Sequence, residues 1–464
     1  MDKFFKLKEN GTNVKTEILA GTTTFLTMAY IIFVNPSMLS QTGMDEGAVF
    51  VATILAAAIG TFVMAFVANV PFAQAPGMGL NAFFTFTIVF GMGFTWEQAL
   101  GMVFICGIIN IIITVTKIRK MIIKAIPESL QYAISGGIGL FVAYVGVKSA
   151  HFINFTGDAA DKIEAIGEGG LFGDVVPALV DFKNPASQLA LIGLVITVVL
   201  LIMKVKSAIL IGILATTVIG LFNGVTTVPD LSAIDFSIPD IRPTLFKLDI
   251  PGIFSDPEKT FIAITTIFAF SLTDTFDTIG TFLGAGRKSG IFDKVDEESV
   301  ENGAGMSSKL EKALFADATA TSIGALLGTS NTTTFVESAS GISQGGRTGL
   351  TSMVTGILFL LCLFISPIAG MVPEAATAPA LIVVGVLMSE SLMKIDWTDI
   401  CIAIPAFLTV SFMPFTYSIT TGVAAGFIFY CIGKLVKKEG KDIHPILYIV
   451  TLLFIASYIL NALI

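Results

Sequence analysis

The sequence is built from long apolar blocks, each of about 17–25 residues, that are separated by short polar connections. An α-helix needs about 20 apolar residues to cross a hydrocarbon core of about 30 Å. Hydrophobic residues make up 54% of the 464 residues and charged residues only 13%, whereas soluble domains carry about 25% charged residues. The pattern predicts a polytopic membrane protein and excludes a soluble fold, a single anchor or a signal peptide.

About fourteen of the blocks are predicted to be transmembrane segments of an all-α membrane protein. They are 18–40, 48–69, 77–92, 97–116, 128–150, 188–203, 206–225, 260–284, 311–328, 332–346, 348–370, 374–393, 398–413 and 416–435. One more hydrophobic stretch follows at 444–463. The sequence leaves open whether that stretch crosses the membrane or lies in the interface.

The distribution of Lys and Arg predicts the topology. Basic clusters precede the first segment and follow every second segment after it, from the fourth to the fourteenth. Because short cytoplasmic loops collect positive charge, we expect a cytoplasmic N-terminus and insertion in the cell (plasma) membrane. Seven segments separate the two halves, so the second half must be inverted relative to the first.

This inverted repeat predicts the domain organisation. The first repeat occupies 1–225, an extracellular linker 226–259, the second repeat 260–436, and the C-terminal hydrophobic segment 437–464.

The third and tenth segments are unusual, since they are short and rich in Gly, Ser or Thr at matching positions of the two halves. They include residues 74–84 and 328–341. Non-helical backbone at membrane depth is tolerated only where it is buried in protein or lines a cavity, so interrupted segments point to a transporter's binding site. The alternative is that both are ordinary kinked helices at helix contacts.

Two carboxyl groups lie in the eighth segment, at Asp274 and Asp277. Their spacing of three places them on one face of a helix. A charged side chain at the bilayer centre costs about 2.5–3.5 kcal/mol even on insertion scales, and a lone buried carboxylate tends to take up a proton. Both residues are therefore predicted to serve proton coupling. The alternative is that one of them caps a local break or bonds a neighbouring helix.

Glu337, in the tenth segment, is a third carboxyl at membrane depth, and Asn81 occupies the comparable place in the third segment. A shift of 256 residues superposes Asn81 on Glu337. A carboxylate accepts two parallel N–H bonds, while an amide both donates and accepts. The pair therefore predicts a planar ligand with several N–H and C=O groups.

Aromatic residues and glycines flank these polar groups. Phe83, Phe276 and Phe335 are candidates for stacking on a flat ring, although the chain has 39 phenylalanines and packing explains any one of them as well. Gly77 and Gly79 would let the backbone approach a ligand closely. Packing against a neighbouring helix is the alternative for both.

Other function classes find no support in the sequence. The four cysteines lie in apolar blocks without CxxC spacing, so no disulfide framework, metal site or cofactor site is predicted. Walker-type, HExxH and GxSxG motifs are absent, which argues against an enzyme or an ATP-driven pump. The net charge of −8 carries no nucleic-acid footprint.

These motifs together resemble the AzgA-like purine permease branch of the nucleobase:cation symporter-2 (xanthine/uracil permease) family. The resemblance runs across essentially the whole chain. The residues that carry it are 16–21, 28–31, 78–83, Asp274, Asp277, 328–342 and 345–351.

The resemblance implies a 7+7 inverted-repeat fold, like that of uracil permease, with core and gate domains and short strands in segments three and ten. It implies proton-coupled uptake of adenine, guanine or hypoxanthine. Asp274 and Glu337 would bind the substrate, Asn81 and Gly79 would line the same pocket, and Asp277 would support binding or coupling. Related uracil and xanthine branches space their eighth-segment pair one residue further apart, so the division between base binding and proton handling stays open. Proton coupling is assigned to the set Asp274, Asp277 and Glu337.

Further alternatives also stay open. On the same fold, the chain could transport an anion or another nucleobase, such as xanthine or uracil. Sodium could replace the proton as the coupling ion, since unpaired carboxyls serve either. The preferred purine is undecided, and the relatives on this fold imply a possible homodimer as well as contact with membrane lipid.

Overall fold

The structure is a computed structural model of the chain. It describes residues 2–116, 125–156, 164–166, 170–172, 176–227, 237–282, 286, 289–292, 296, 306, 308–366 and 370–463. The predicted basic loops after the fourth and eighth segments lie largely outside these residues.

Helices dominate the first half. Its elements are α1 (Asp2–Phe5), α2 (Val14–Met28), α3 (Ile31–Leu39), α4 (Glu46–Val63), β1 (Gln74–Pro76), α5 (Met78–Ala82), α6 (Trp96–Val115), α7 (Glu128–Ser149), β2 (Ile153–Thr156), β3 (Glu164–Ile166), β4 (Gly170–Phe172), β5 (Val176–Leu179), α8 (Pro185–Ile202) and α9 (Ala208–Phe222). Wider π-helical turns extend α4 through Met64–Ala68 and α5 through Phe83–Gly91.

The second half repeats the pattern of long helices interrupted by one short strand. Its elements are α10 (Ile250–Ile253), α11 (Pro257–Thr281), α12 (Lys309–Leu327), β6 (Thr332–Thr334), α13 (Ser338–Ser343), α14 (Gly349–Leu361), α15 (Glu374–Met388), α16 (Ile400–Phe415), α17 (Ile419–Val436) and α18 (Pro445–Leu463).

The helices agree closely with the predicted segments. Within the described ranges, eight helices are long and apolar enough to cross a membrane, and five shorter apolar helices accompany them. The first predicted segment is the main exception, since it is divided into α2 and α3 by a break at Ala29 and Tyr30. The prediction of a mostly helical, multi-pass membrane protein is confirmed.

Helix ends coincide with capping residues. The Asp45 carboxylate accepts from the backbone N–H of Ala48 at 2.7 Å and begins α4. Thr95 and Gln98 form a capping box at the start of α6. At the other end of a helix, Gly328 has a φ of +100° and terminates α12 just before β6, which suits glycine because it lacks a Cβ.

The two short strands β1 and β6 pair with each other across the halves of the chain. They are antiparallel, with Gln74 opposite Thr334 and Pro76 opposite Thr332. Every residue of both strands is buried. The strands expected in the third and tenth segments are thus present, and the reading of these segments as ordinary kinked helices is wrong.

The connection after α7 contains two further strand pairs that the sequence analysis did not predict. β2 pairs with β5 and β3 with β4, both antiparallel. These strands are only three or four residues long. Strands that short offer too few residues for an alternating apolar pattern to be recognised.

α18 runs antiparallel to α17. The rings of Phe427 and Phe454 meet edge to face at 6.2 Å, and Cys431 Sγ lies 3.4 Å from Thr451 Oγ1. A helix of 19 residues is about 28 Å long, which is close to the thickness of a hydrocarbon core. α18 therefore folds back along α17.

A buried carboxylate joins the first helix of the core to α14. Glu17, on α2, is fully buried. Its oxygens accept from the backbone N–H of Arg347 at 2.8 Å, the hydroxyl of Thr348 at 2.8 Å, and the N–H and hydroxyl of Thr351 at 3.0 and 2.7 Å. Since the first N–H groups of a helix have no partner inside the helix, Glu17 caps α14 from another segment.

We expect Glu17→Ala to destabilise the protein because it leaves several buried donors without an acceptor. A hydrogen bond to a charged group contributes about 1.5–3 kcal/mol, so the midpoint of thermal unfolding in detergent should fall by several degrees. Glu9→Ala, which removes an exposed carboxylate near the same end of the chain, is the control and should leave the midpoint unchanged. An unchanged midpoint in Glu17→Ala would show that the cap is dispensable.

Candidate functional site

The paired strands place two interrupted segments in contact at the centre of the molecule. Backbone hydrogen bonds continue beyond the strands, from Gly77 N to Asn331 O at 2.9 Å and from Phe335 N to Ala73 O at 3.0 Å. Each strand leads directly into a short helix, α5 or α13. The side chains predicted to bind a ligand therefore converge on one region from both halves.

Asp274 lies in the interior of this region and has no exposed surface. Its Oδ2 accepts from Asn110 Nδ2 at 2.9 Å and from Thr321 Oγ1 at 3.3 Å. Asn110 also accepts a short hydrogen bond from the hydroxyl of Ser271. The other carboxylate oxygen of Asp274, Oδ1, is buried without a hydrogen-bond partner.

Asp277 and Glu337 are more accessible than Asp274. Both are partly exposed, and the two carboxyls are close enough to interact electrostatically. Glu337 Oε1 accepts from the hydroxyl of Tyr30 at 2.7 Å. Tyr30 lies at the break between α2 and α3. The interruption of the first segment therefore directs the Tyr30 hydroxyl toward Glu337 in the tenth segment.

Asp317 is a fourth carboxyl in this region, and the sequence analysis overlooked it. It is 4% exposed and lies on α12. Its oxygens accept from Thr334 Oγ1 at 2.7 Å and from Thr278 Oγ1 at 2.9 Å. Asp317 thus joins α12 to β6 and α11. An acidic residue within a run of Ala and Thr in a predicted segment was the signal that could have identified it.

Asn81 is buried nearby but is not paired with Glu337. Its side chain accepts a short hydrogen bond from Ser330 and approaches Met78 Sδ at 3.8 Å. Equating the two strands gives an offset of 258 residues, from Gln74 to Thr332, two more than the predicted shift of 256. With the strands as reference, Asn81 corresponds to Ala339 rather than to Glu337.

The phenylalanines proposed to stack on a ligand have different surroundings. Phe83 is fully buried, and its ring is stacked on Phe270 with centroids 4.5 Å apart. Phe335 is 6% exposed and lies 6.5 Å from the ring of Tyr30. The side chain of Phe276 lies outside the described part of the structure.

The two glycines lie at crowded positions. A Cβ on Gly79 would collide with Ile138 of α7, and one on Gly77 would meet Thr333 of β6. The sequence predicted close backbone approach at both positions. The observed close approach is made to other parts of the protein.

The site is strongly acidic. In the described part of the chain, none of the four carboxyls forms an ion pair with Lys or Arg, and no cluster of His, Cys, Asp and Glu is arranged to hold a metal ion. Carboxylates that lack a cation are costly at membrane depth. The arrangement suits a ligand that brings N–H donors, together with a cation that neutralises part of the charge.

Comparisons with known proteins are consistent across most of the chain. A model described as "Permease family" matches residues 15–425. A putative permease of Methanocaldococcus jannaschii, MJ0326, is 45% identical over 99% of this chain and 98% of its own length. The guanine/hypoxanthine permease PbuG of Bacillus subtilis is 41% identical over 99% of both chains. The adenine permease AdeP of Escherichia coli is 39% identical over 99% of this chain and 96% of its own.

Solved transporters share the fold. The transmembrane domain of the cyanobacterial bicarbonate transporter BicA has a TM-score of 0.62 at 16% identity, covering 89% of this chain and 97% of that one. SLC26A9 has a TM-score of 0.60 at 11% identity, covering 91% of this chain and 66% of that one. Both have the uracil-permease-like fold with seven segments in each inverted half, so the predicted fold class is confirmed.

We expect Asp317→Asn to lower the stability of the site because the amide keeps only one acceptor oxygen, so one of the two threonine hydroxyls loses its acceptor. Leaving a buried donor unpaired costs about 1–3 kcal/mol, which should lower the midpoint of thermal unfolding in detergent. Asp181→Asn, at an exposed carboxylate in the outer loop, is the matched control. Equal midpoints for the two variants would contradict the bridging role of Asp317.

Proposed function

Since this chain belongs to the permease family of xanthine and uracil permeases, the nucleobase:cation symporter-2 family, we propose that it imports purine nucleobases together with protons by alternating access. Members of this family are permeases, and the chain is a transporter rather than an enzyme. The relatives named for guanine/hypoxanthine and adenine transport direct the proposal to purines. The accessible Asp277–Glu337 pair is the structural observation that carries it.

We assign binding of the purine base to Glu337. Purine bases carry ring and exocyclic N–H groups, and a carboxylate can accept two such bonds in parallel. The hydrogen bond from Tyr30 at 2.7 Å fixes the orientation of Glu337 before a ligand arrives. Asp277 stands beside it and supports the same ligand, while Asn81 and Gly79 remain assigned to the pocket that the third segment contributes.

We assign binding of the coupling proton to Asp274. It has no exposed surface, one oxygen without a partner, and a second oxygen held by Asn110 and Thr321. A proton on this group removes a buried charge that no cation neutralises. Binding of the proton would therefore stabilise the loaded site, and its release inside the cell would weaken base binding.

The alternatives of the sequence analysis make different demands on the site. An anion transporter would require cationic groups, whereas the described site contains four carboxyls. The likeness of this chain to a bicarbonate transporter concerns the fold alone. Xanthine or uracil transport would use the same groups on a different ring and is distinguished below by competition.

The proposal includes the setting of the transporter. We place it in the plasma membrane, surrounded by lipid, with the N-terminus in the cytoplasm because basic clusters alternate with neutral loops. A homodimer, as implied by relatives on this fold, is part of the same proposal.

Uptake of radiolabelled hypoxanthine and adenine in cells that express the chain tests the function. We expect saturable uptake that rises as the external pH is lowered, because external protons load the carrier, and that collapses with a protonophore. Unlabelled purines should compete more strongly than uracil or xanthine.

Replacing external sodium by potassium is the control for the coupling ion and should leave uptake unchanged. Uptake that follows sodium and resists the protonophore would contradict proton coupling. Competition by uracil or xanthine alone would contradict the purine assignment.

We expect Glu337→Ala and Asp274→Ala each to reduce purine uptake by at least about 30-fold at normal surface expression, since losing about 2 kcal/mol of charge-assisted hydrogen bonding has that effect. Asn81→Ala should change the KM or the preferred base while surface expression is retained. Glu374→Ala, at an exposed glutamate that begins α15, is the control. Full uptake by both carboxyl variants would defeat the assignment.

A further inference from the structure

A cavity lies apart from the four carboxyls Asp274, Asp277, Asp317 and Glu337. Its volume is about 650 Å³, within the range of about 300–1,000 Å³ typical of small-molecule pockets. It is bounded by the turn after α5, the start of α11, the turn between α16 and α17, and α18. The cavity therefore lies between both repeats and the C-terminal helix, at the end of α17 opposite to Lys434.

Hydroxyl groups form much of the polar part of the cavity wall, together with Asp256 and Lys259 at the start of α11. Thr87, Thr266, Ser418 and Thr420 all line it. Thr420 is 8% exposed, and its Oγ1 is buried without any hydrogen-bond partner. A buried hydroxyl usually has a partner, and an unpaired one in a cavity wall is available to a ligand that offers a donor or an acceptor.

Aromatic rings also line the cavity, and two of them come from α18. Phe90 belongs to the turns that extend α5, whereas Phe454 and Tyr458 are contributed by the C-terminal helix. Tyr458 is 42% exposed and borders the cavity together with Thr421 at the start of α17. Hydroxyls and aromatic faces together suit a flat, hydrogen-bonding heterocycle.

The cavity and the carboxyl site follow one another along a single face of α11. Thr266 lines the cavity, Phe270 is one turn further, and Asp274 is one turn beyond that, with each turn rising about 5.4 Å. Phe270 is fully buried in its stack with Phe83. The stacked pair therefore lies between the cavity and Asp274 along this face of α11.

We propose that this cavity is a second, transient binding site for the purine base. It holds the base on the side of the Phe83–Phe270 stack that faces away from Asp274. The inference rests on the proposed function for the identity of the ligand. It gives α18 a direct role, because Phe454 and Tyr458 supply one wall of the site. The hydroxyl of Thr420 contacts the polar edge of the base, and the aromatic side chains contact its faces.

The test measures the rate at which a maleimide modifies Tyr458→Cys in the full-length protein, purified in detergent, with and without hypoxanthine or adenine. The background substitution Glu337→Gln disables the proposed central site, so that a base acting there does not alter the result. Asn223→Cys in the same background is the control at an exposed position outside the cavity. The parent protein, with its own cysteines, sets the unspecific rate.

We expect the base, at ten times its dissociation constant, to slow modification of Tyr458→Cys about tenfold by occupying the cavity, and to leave Asn223→Cys unaffected. Adding Thr420→Val should raise the concentration of base required for protection by about three- to tenfold. Thr197→Val removes a buried hydroxyl on α8 that bonds its own helix, and it should leave that concentration unchanged.

Modification of Tyr458→Cys that the base does not slow in the Glu337→Gln background would overturn the cavity site. So would a Tyr458→Cys variant that the maleimide does not reach. Purine uptake by the unmodified chain is measured in parallel. Uptake without protection refutes only the cavity site, whereas absence of uptake refutes the proposed function itself.

Discussion

Every backbone N–H and C=O at membrane depth must find a partner inside the protein, because the hydrocarbon core supplies none. Two segments of this chain leave the helical path, and the antiparallel pairing of β1 with β6 satisfies their backbone groups. Each interrupted segment is thus completed by the other. The pairing fixes the distance between the two repeats at their centre, and the positions of Asn81, Thr334 and Glu337 all depend on it.

The carboxyls around this strand pair divide into two kinds. Asp274 and Asp317 are held in the interior by amide and hydroxyl donors, so their surroundings are largely fixed. Asp277 and Glu337 retain exposed surface. A fixed interior charge beside an accessible one offers a physical basis for coupling, because a cation bound by the first changes the electrostatic field at the second.

Much of the fold followed from the sequence because the membrane imposes a simple rule on length and polarity. The positions of the helices were predictable from the apolar blocks, and the interruptions from Gly, Ser and Thr in segments three and ten. The two central strands were expected from the family resemblance. The register of the strands was not predictable, because it depends on which backbone groups meet across the halves. The offset between the halves is a separate matter: aligning Asn81 with Glu337 gives 256, whereas aligning the first residues of the two strands gives 258.

The sequence identified those site residues whose charge is costly at membrane depth, such as Asp274 and Glu337. Tyr30 and Asn110 escaped notice because tyrosine and asparagine are unremarkable in a segment until their partners are known. Asp317 escaped for a different reason, since its predicted segment begins with several charged residues and an additional one did not stand out. Contacts between distant segments are not encoded in local pattern.

α18 covers one side of α17 that would otherwise be exposed. Phe427 and Cys431 of α17 are only 1% and 4% exposed, respectively, where they meet Phe454 and Thr451 of α18. A chain shortened before Pro445 would uncover these two side chains and remove one wall of the cavity. The C-terminal helix is therefore an integral part of the packed structure.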